Sequence, residues 1–439
     1  MPEVSLVDAL VASMIRAQGI DCSQPVGEHT FESSPAREAA TMRAVAALRR
    51  AFALAVGDAL GKKWRMHFAS WLCAARASEN SLEIVPSPSA LANERELLSK
   101  LTKAGASASE RRQASSRLAR AANEARAAIA LATNARRERV FVRRVEVARA
   151  RTKVVLTCGG VEVEVNERHF ERLREMFEKR SGRDLSGDAF VNAAYCVLAR
   201  YSSMQGGHHK AGNMQASAPP RAFDAMRVKF GVDFELFASP MNAYLGRFCS
   251  ANVDTDRAFG SEGSAFDFMP SEGSYEANPP FDEGVMAAMA AHLERTLASS
   301  AKPLSFCVIV PRWIDSPAWL RLAKSVYCTS NTTLEAKEHA FVSGGAHTRK
   351  DQLTASAAAT SFLTLQNKAG SKKWPASDEA IAAIRAGFAL PEKHIDRACD
   401  AAAQRGKRPH ETLKAPIAAA KKAAKTESGK YSAGFFRDE

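Results

Sequence analysis

Asn278-Pro279-Pro280-Phe281 is the stretch of this sequence whose residue types and spacing best suit chemistry. Two successive prolines fix φ and remove two backbone donors, so the main chain there can only accept hydrogen bonds. Asn278 adds a side-chain carbonyl, a further acceptor. Acceptors held rigidly together match an amino group with two N–H bonds. They draw its hydrogens to one side and turn the nitrogen lone pair toward an electrophilic methyl. Such catalysis rests on orientation and needs no strong base. Phe281 offers a face on which an extruded base could stack. The same four letters also arise in plain turns, so placement decides how they are read.

The placement is a strand-to-helix junction. Ser274–Ala277 reads as a strand, and a helix start follows Phe281, with Asp282 and Glu283 in its first turn and its end near Ser299. The motif therefore falls at the carboxyl edge of a sheet, where open α/β folds bind ligands. Further strands are expected at Phe234–Ala238, Ala265–Met269, Leu304–Val310 and Ser361–Leu365. Strand, loop, helix, strand is the order of a doubly wound sheet. The first of these strands ends in Ala238-Ser239-Pro240-Met241-Asn242, small and polar residues whose loop suits close approach to the methionine moiety of a methyl donor. It lacks the G-x-G-x-x-G pattern. Gly260-Ser261-Glu262-Gly263-Ser264 is a second close-approach loop or a surface turn. Asp254, Asp256 and Asp267 are candidates to hold the donor's ribose.

Upstream of these elements the sequence reads as helical to about residue 135, as in Ala39–Leu60 and Asn93–Leu101, with Ser87-Pro88-Ser89 as a turn before a new helix. Val154 to Val165 is β-branched around Gly159-Gly160 and predicts a small hairpin. Helices resume at Phe170–Lys179 and Asp188–Tyr201. Residues 202–218 predict a long loop; His208 and His209 lack a third ligand at useful spacing, so no metal is expected there.

The chain of 439 residues carries a net charge of +13, an excess that points to a polyanionic partner. Much of it lies in Glu110–Lys153, which holds 13 basic and 4 acidic residues. Arg136, Arg137, Arg143 and Arg144 are the candidate phosphate-facing residues, against the alternative of a solvated helix face. The tail 401–439 holds 9 basic and 4 acidic residues; Arg405–Pro409 and Lys421–Lys425 resemble nuclear-localisation patches. The eight cysteines show no C-x-x-C pair and no zinc-ligand spacing, which suggests reduced thiols in a nuclear or cytosolic protein. Neither a secretory signal nor a membrane-spanning run is expected.

Taken together, these segments resemble the phosphorylated CTD-interacting factor family, the cap-specific adenosine-N6 methyltransferases. The likeness runs from about Met214 to Pro375. It includes Gln215–Pro219, Phe237–Asn242, Asp254-Thr255-Asp256, Gly273–Phe281, Val310–Trp313, Glu338-His339 and Leu365-Gln366-Asn367. The resemblance implies an α/β fold: a Rossmann-like class I methyltransferase domain over 206–395 after a mostly helical domain over 1–205 with its hairpin near 153–166. Residues 396–439 would form a basic tail without packed structure. The implied reaction is N6 methylation of 2′-O-methyladenosine beside the cap of an mRNA, with S-adenosyl-L-methionine as donor and capped mRNA beginning with adenosine as partner. The family pattern puts Asn278, Pro279, Pro280 and Phe281 at the amine. It puts Gln215, Ala238, Ser239, Pro240, Asn242, Asn278 and Phe281 on the cofactor, and Glu283, Trp313, Ile314, Asp315 and His339 along the substrate cleft.

The chain also departs from that pattern. Val342 stands before Ser343-Gly344 where the family tends to carry Arg. No WW module is read near the N-terminus, since Trp64 and Trp71 are too close together, which leaves recruitment to the RNA polymerase II tail without a visible carrier. The NPPF type of motif is shared by adenine-N6, cytosine-N4 and glutamine-N5 methyltransferases. The rival readings are an N6-adenine methyltransferase on internal RNA or DNA, and a non-catalytic RNA-binding protein with a methyltransferase fold. Nuclear localisation is expected, with the cytoplasm as the alternative.

Overall fold

The computed structural model describes residues 33–61, 64–77, 83–133, 139–147, 151–181, 187–206, 215–348 and 353–391. Arg136, Arg137, His208, His209 and the basic tail lie outside the described residues.

Five helices come first: α1 Pro35–Leu60, α2 Trp64–Ala77, α3 Pro88–Ala92, α4 Arg95–Lys103 and α5 Ala108–Thr133. Ser34 and Ser87 cap α1 and α3 with their hydroxyls, and a proline at the first turn gives up a donor that the helix start leaves unpaired anyway. Ala40, Ala44, Leu48, Phe52 and Val56 recur every fourth residue, so α1 buries one stripe. Leu118, Ala122, Ala125 and Ile129 of α5 complete that core, with Phe68 and Trp71 packed at its centre.

A three-stranded antiparallel sheet follows, β1 Phe141–Val147, β2 Arg151–Cys158 and β3 Val161–Asn166. The expected hairpin is present as β2–β3, turned by Gly159 and Gly160 at φ 52° and 75°. The third strand was not read from sequence. Phe141, Val142, Arg143 and Arg144 are all exposed, so this edge strand has no inward-outward alternation to detect. Helices α6 Glu167–Ser181 and α7 Gly187–Met204 pack over the sheet through Phe170, Phe177 and Phe190.

The larger sheet is mixed and has six strands, β4 Phe234–Ala238, β5 Phe248–Ser250, β6 Gly273–Ala277, β7 Leu304–Pro311, β8 Cys328–Leu334 and β11 Thr360–Gln366. Their order is β5-β4-β6-β7-β11-β8. The first four are parallel; β11 runs antiparallel between β7 and β8. A separate two-stranded ladder joins β9 Ala340–Val342 to β10 Leu353–Ala355. Helices α8 Pro220–Phe230 and α13 Asp378–Phe388 cover one face of the large sheet; α10 Glu283–Ser299 and α11 Pro317–Lys324 cover the other. The short α9 Val253–Asp256 follows β5, and α12 Lys368–Lys373 follows β11. All eight residues of β7 are buried, as a strand covered on both faces requires.

Ala265–Met269 is not a strand. Ser264 Oγ accepts from Phe266 N, a turn follows, and Phe268 stacks on Phe234 with centroids 4.6 Å apart. The aromatic residues that suggested a strand instead pin a loop to β4 and α10. No helix among the described residues is long and apolar enough to cross a membrane. Cys158, Cys196, Cys249 and Cys307 are buried free thiols, and Cys328 is a half-buried one.

Candidate active site

Chain direction brings the ends of β4, β6 and β7 to one edge of the large sheet, because parallel strands share their carboxyl ends. Asn278 leaves β6 at that edge and is 7% exposed. Its Nδ2 donates to the Ala216 carbonyl at 3.2 Å. That bond sets the amide's orientation and leaves Oδ1 as an acceptor without a partner among the described residues. Pro279 is buried and Pro280 half-buried. The Pro280 carbonyl already accepts from Asp282 N at 2.7 Å, so Asn278 Oδ1 and the Pro279 carbonyl are the acceptors left to a ligand. Asp282 is the cap itself: Oδ1 accepts from Gly284 N and Val285 N, and the helix starts one residue later than expected. Phe281 is half-buried and meets the Phe341 ring edge to face at 6.1 Å.

The loop after β4 is held as tightly. Asn242 Oδ1 accepts from both the amide and the hydroxyl of Ser239, each at 2.8 Å, and its Nδ2 donates to the Gln215 carbonyl at 3.0 Å. Met241 turns away into the core beside Phe259. The Asn242 and Asn278 side chains thus grip neighbouring carbonyls, those of Gln215 and Ala216. This segment registers the loop after β4 against the motif.

Residues 172–344 match the family model described as "Phosphorylated CTD interacting factor 1 WW domain". Over 240 residues, 54% of this chain, the sequence is 38% identical to the Homo sapiens protein named "mRNA (2'-O-methyladenosine-N(6)-)-methyltransferase". The Mus musculus protein of the same name gives the same identity over the same length. In this stretch the chain is similar to the phosphorylated CTD-interacting factor family. The match covers 34% of either relative, so the chain spans about a third of the length of the curated relatives it matches. The stretch matched by the family model runs from α6 through the parallel strands and the motif to the residues just after β9.

Within the family segment, some expected site residues are held by the fold. Glu283 accepts from Ser316 Oγ at 2.5 Å through Oε2 and from Ala318 N at 2.8 Å through Oε1. Its carboxylate sits at the start of α11, where backbone amides and the helix dipole favour it. It ties the motif's helix to the loop Trp313–Ser316 after β7. Trp313 is half-buried against the α10 side of the core, while Ile314 and Asp315 are exposed. His339 is buried: Nδ1 faces the Glu335 carbonyl at 2.7 Å and Nε2 the Thr360 hydroxyl at 2.8 Å. Burial lowers its pKa, so it is a neutral histidine satisfied by its neighbours.

Two of the three ribose candidates are committed elsewhere. Asp254 receives both Nη groups of Arg200, at 2.9 and 2.8 Å. Asp256 accepts from Tyr201 Oη at 2.6 Å and from Thr255 Oγ1 at 2.9 Å, and burial pushes it up to about 6. Asp267 is exposed and keeps its carboxyl open, with its pKa raised by partial desolvation. Arg143 and Arg144 are exposed on β1 and pair with Glu162 at 3.4 Å and Glu167 at 2.9 Å. These surface pairs leave both guanidinium groups at the solvent edge.

The roles of the Gln215 and Ala216 carbonyls were not legible in sequence, since a main-chain carbonyl has no residue signature. Glu235 had a signal: an acid at the second position of the apolar strand Phe234–Ala238. It is 2% exposed and its Oε1 accepts from Tyr244 N and Leu245 N, both at 2.6 Å.

Proposed function

We propose that this chain transfers a methyl group from S-adenosyl-L-methionine to N6 of the 2′-O-methyladenosine beside the cap of an mRNA. In this reading a Rossmann-like class I unit over 206–395 carries the reaction, and a helical unit over 1–205 helps to hold the RNA. The observation that carries it is the Asn278 carboxamide, anchored through Nδ2 with Oδ1 open, at the carboxyl edge of parallel strands in the family segment.

The loop after β4 suits the cofactor. From Ser239 to Gly246 it has no charged side chain, Ser239 is buried, and Met241 turns inward, so small groups and main chain line the edge. Ala238, Ser239, Pro240 and Asn242, with the Gln215 main chain, would hold the cofactor, and Asn278 and Phe281 would meet its reactive end. Asp267 is the carboxylate left for its ribose. When bound, S-adenosyl-L-methionine supplies the electrophilic methyl.

The protein's part is orientation. Asn278 Oδ1 and the Pro279 carbonyl accept the two amine hydrogens and fix the nitrogen lone pair. Phe281 supports the base plane. The buried surroundings of Asn278 keep water from competing for the acceptors. Trp313, Ile314 and Asp315 follow β7 at the same edge and would border the RNA.

The test is labelled methyl transfer to matched capped and uncapped transcripts beginning with adenosine, with mass spectrometry of the nucleoside product. N6,2′-O-dimethyladenosine from the capped RNA alone supports the reading. Equal labelling of both transcripts would move the substrate to internal RNA, and absence of cofactor binding in calorimetry would make the chain a non-catalytic binder.

A further inference from the structure

The Asn278 carboxamide and the start of α6 are joined by a continuous series of hydrogen bonds. Asn278 holds Ala216, and Ser217 exchanges two main-chain hydrogen bonds with Val342, at 3.1 and 2.8 Å. The chain from Val342 runs through Ser343–His347 onto Asn166. Asn166 donates its amide to the His347 carbonyl at 2.7 Å and its Nδ2 to the Ala346 carbonyl at 3.1 Å. Its Oδ1 then accepts from His169 N at 2.9 Å and His169 Nδ1 at 2.8 Å. One turn on, Arg172 Nη2 donates to the Ala243 carbonyl, at the end of the loop that Asn242 ties to Gln215.

This circuit sets His169 on Asn166 and Arg172 on the loop after β4, with Arg168 and His347 within electrostatic reach of His169. Burial, then the charges of Arg172, His347 and Arg168, push the His169 imidazole down to about 4. The acids nearby do not neutralise the group. Glu167 and Glu171 turn to Arg144 and Arg174, and Glu235 is taken up by two amides. Glu175 is exposed. Among the described residues no carboxylate lies within ion-pair distance of Arg172, although burial lowers its pKa and only Glu235 and Glu175 oppose that at longer range. A half-buried guanidinium with one carbonyl acceptor keeps donors to spare, and an oxyanion is the partner that engages two of them in parallel hydrogen bonds.

We propose that Arg168, His169, Arg172 and His347 form a subsite for a phosphate group of the polynucleotide whose base is presented to Asn278. The assignment rests on the methyl-transfer reading above. With Nδ1 committed to Asn166, His169 meets the anion through Nε2, which must carry a proton to donate. Phosphate binding therefore takes up a proton and tightens as pH falls.

The experiment uses the full chain and a capped oligoribonucleotide beginning with 2′-O-methyladenosine, titrated by anisotropy over a range of salt concentrations, with cofactor affinity measured in parallel by calorimetry. Arg172→Gln should weaken RNA binding by about tenfold at 0.1 M salt and reduce the log–log salt slope by about 0.7, and His347→Gln should weaken binding with a smaller change of slope. Arg172→Lys should restore the slope, which a purely structural role would not predict. Arg168→Gln, on an exposed residue, gives the same readout without risk to folding. Cofactor affinity should stay within about twofold in all four variants. Unchanged slopes in the three glutamine variants overturn the subsite. So does a loss confined to cofactor affinity, which would give Arg172 to the cofactor's carboxylate instead. If the unmodified protein binds the oligonucleotide but transfers no methyl group, the functional reading fails while these slopes still judge the subsite.

Discussion

Glu235 and Glu276 are register partners in the parallel pair β4–β6, and each is 2% exposed. Two carboxyls that close and that dry do not both ionise. Burial raises Glu235, with the Leu245 and Tyr244 amides and Arg172 pulling the other way. Burial and then the Glu235 charge raise Glu276 well above the carboxylate range. The pair therefore holds a proton in the neutral range, with the charge on the amide-bound Glu235.

That relationship makes stability depend on pH in a stated direction. Both folded pKa values lie above the unfolded value, so the folded protein holds protons that the unfolded chain has released. The contribution is complete below the ordinary carboxylate range and is lost as pH rises toward and through about 7, where Glu235 titrates. Thermal unfolding from pH 5 to 8 should show a falling midpoint. Glu276→Gln keeps the shape and removes the ionisable acid, so its midpoint should fall less over that range. Parallel curves for the two proteins would rule out the shared proton.

Arg200 is the second buried charge with a measurable consequence. It donates to Glu38 of α1 at 3.0 and 2.7 Å and to Asp254 at 2.9 and 2.8 Å. Removing it strands Glu38, which is 1% exposed, beside a second carboxylate. Arg200→Met should cost about 3–5 kcal/mol in denaturant unfolding. Arg143→Gln, which breaks an exposed pair with Glu162, should cost less than about 1 kcal/mol.

Asn278 is expected to act through both ends of its amide. Asn278→Ala should lower methyl transfer by about 100-fold or more while cofactor affinity is retained. Asn278→Asp keeps an acceptor but sets a carboxylate against the Ala216 carbonyl, so it should fail as well. Wild-type turnover in the aspartate variant would show that the Ala216 anchor does no orienting.

Gly370 in α12 packs against the Leu304 backbone, where an added Cβ would collide with the carbonyl. Gly370→Ala should destabilise by about 1–3 kcal/mol or more, read as a lower denaturant midpoint, since backbone cannot rotate out of the way as a side chain can.

Local chemistry in the sequence was enough for most elements of the parallel sheet. Phe234–Ala238 was read at its observed bounds, and Ser274–Ala277, Leu304–Val310 and Ser361–Leu365 are each one residue shorter at one or both ends than the observed strands. Their apolar runs end in turn residues and so carry their own limits. The junction at Asn278–Phe281 was legible for the same reason. Elements with weak local signals were not: β1 exposes both faces, β5 has three residues, and Ala265–Met269 has strand composition but serves as an aromatic anchor. Tertiary structure alone decided which polar groups remain open to a ligand. Glu283, His339, Asp254 and Asp256 are polar residues in a promising segment, yet the fold engages each with partners distant in sequence. Among the described residues it leaves Asn278 Oδ1 without one. Residue type determines what a group can donate or accept; only three-dimensional packing determines whether that capacity is already used.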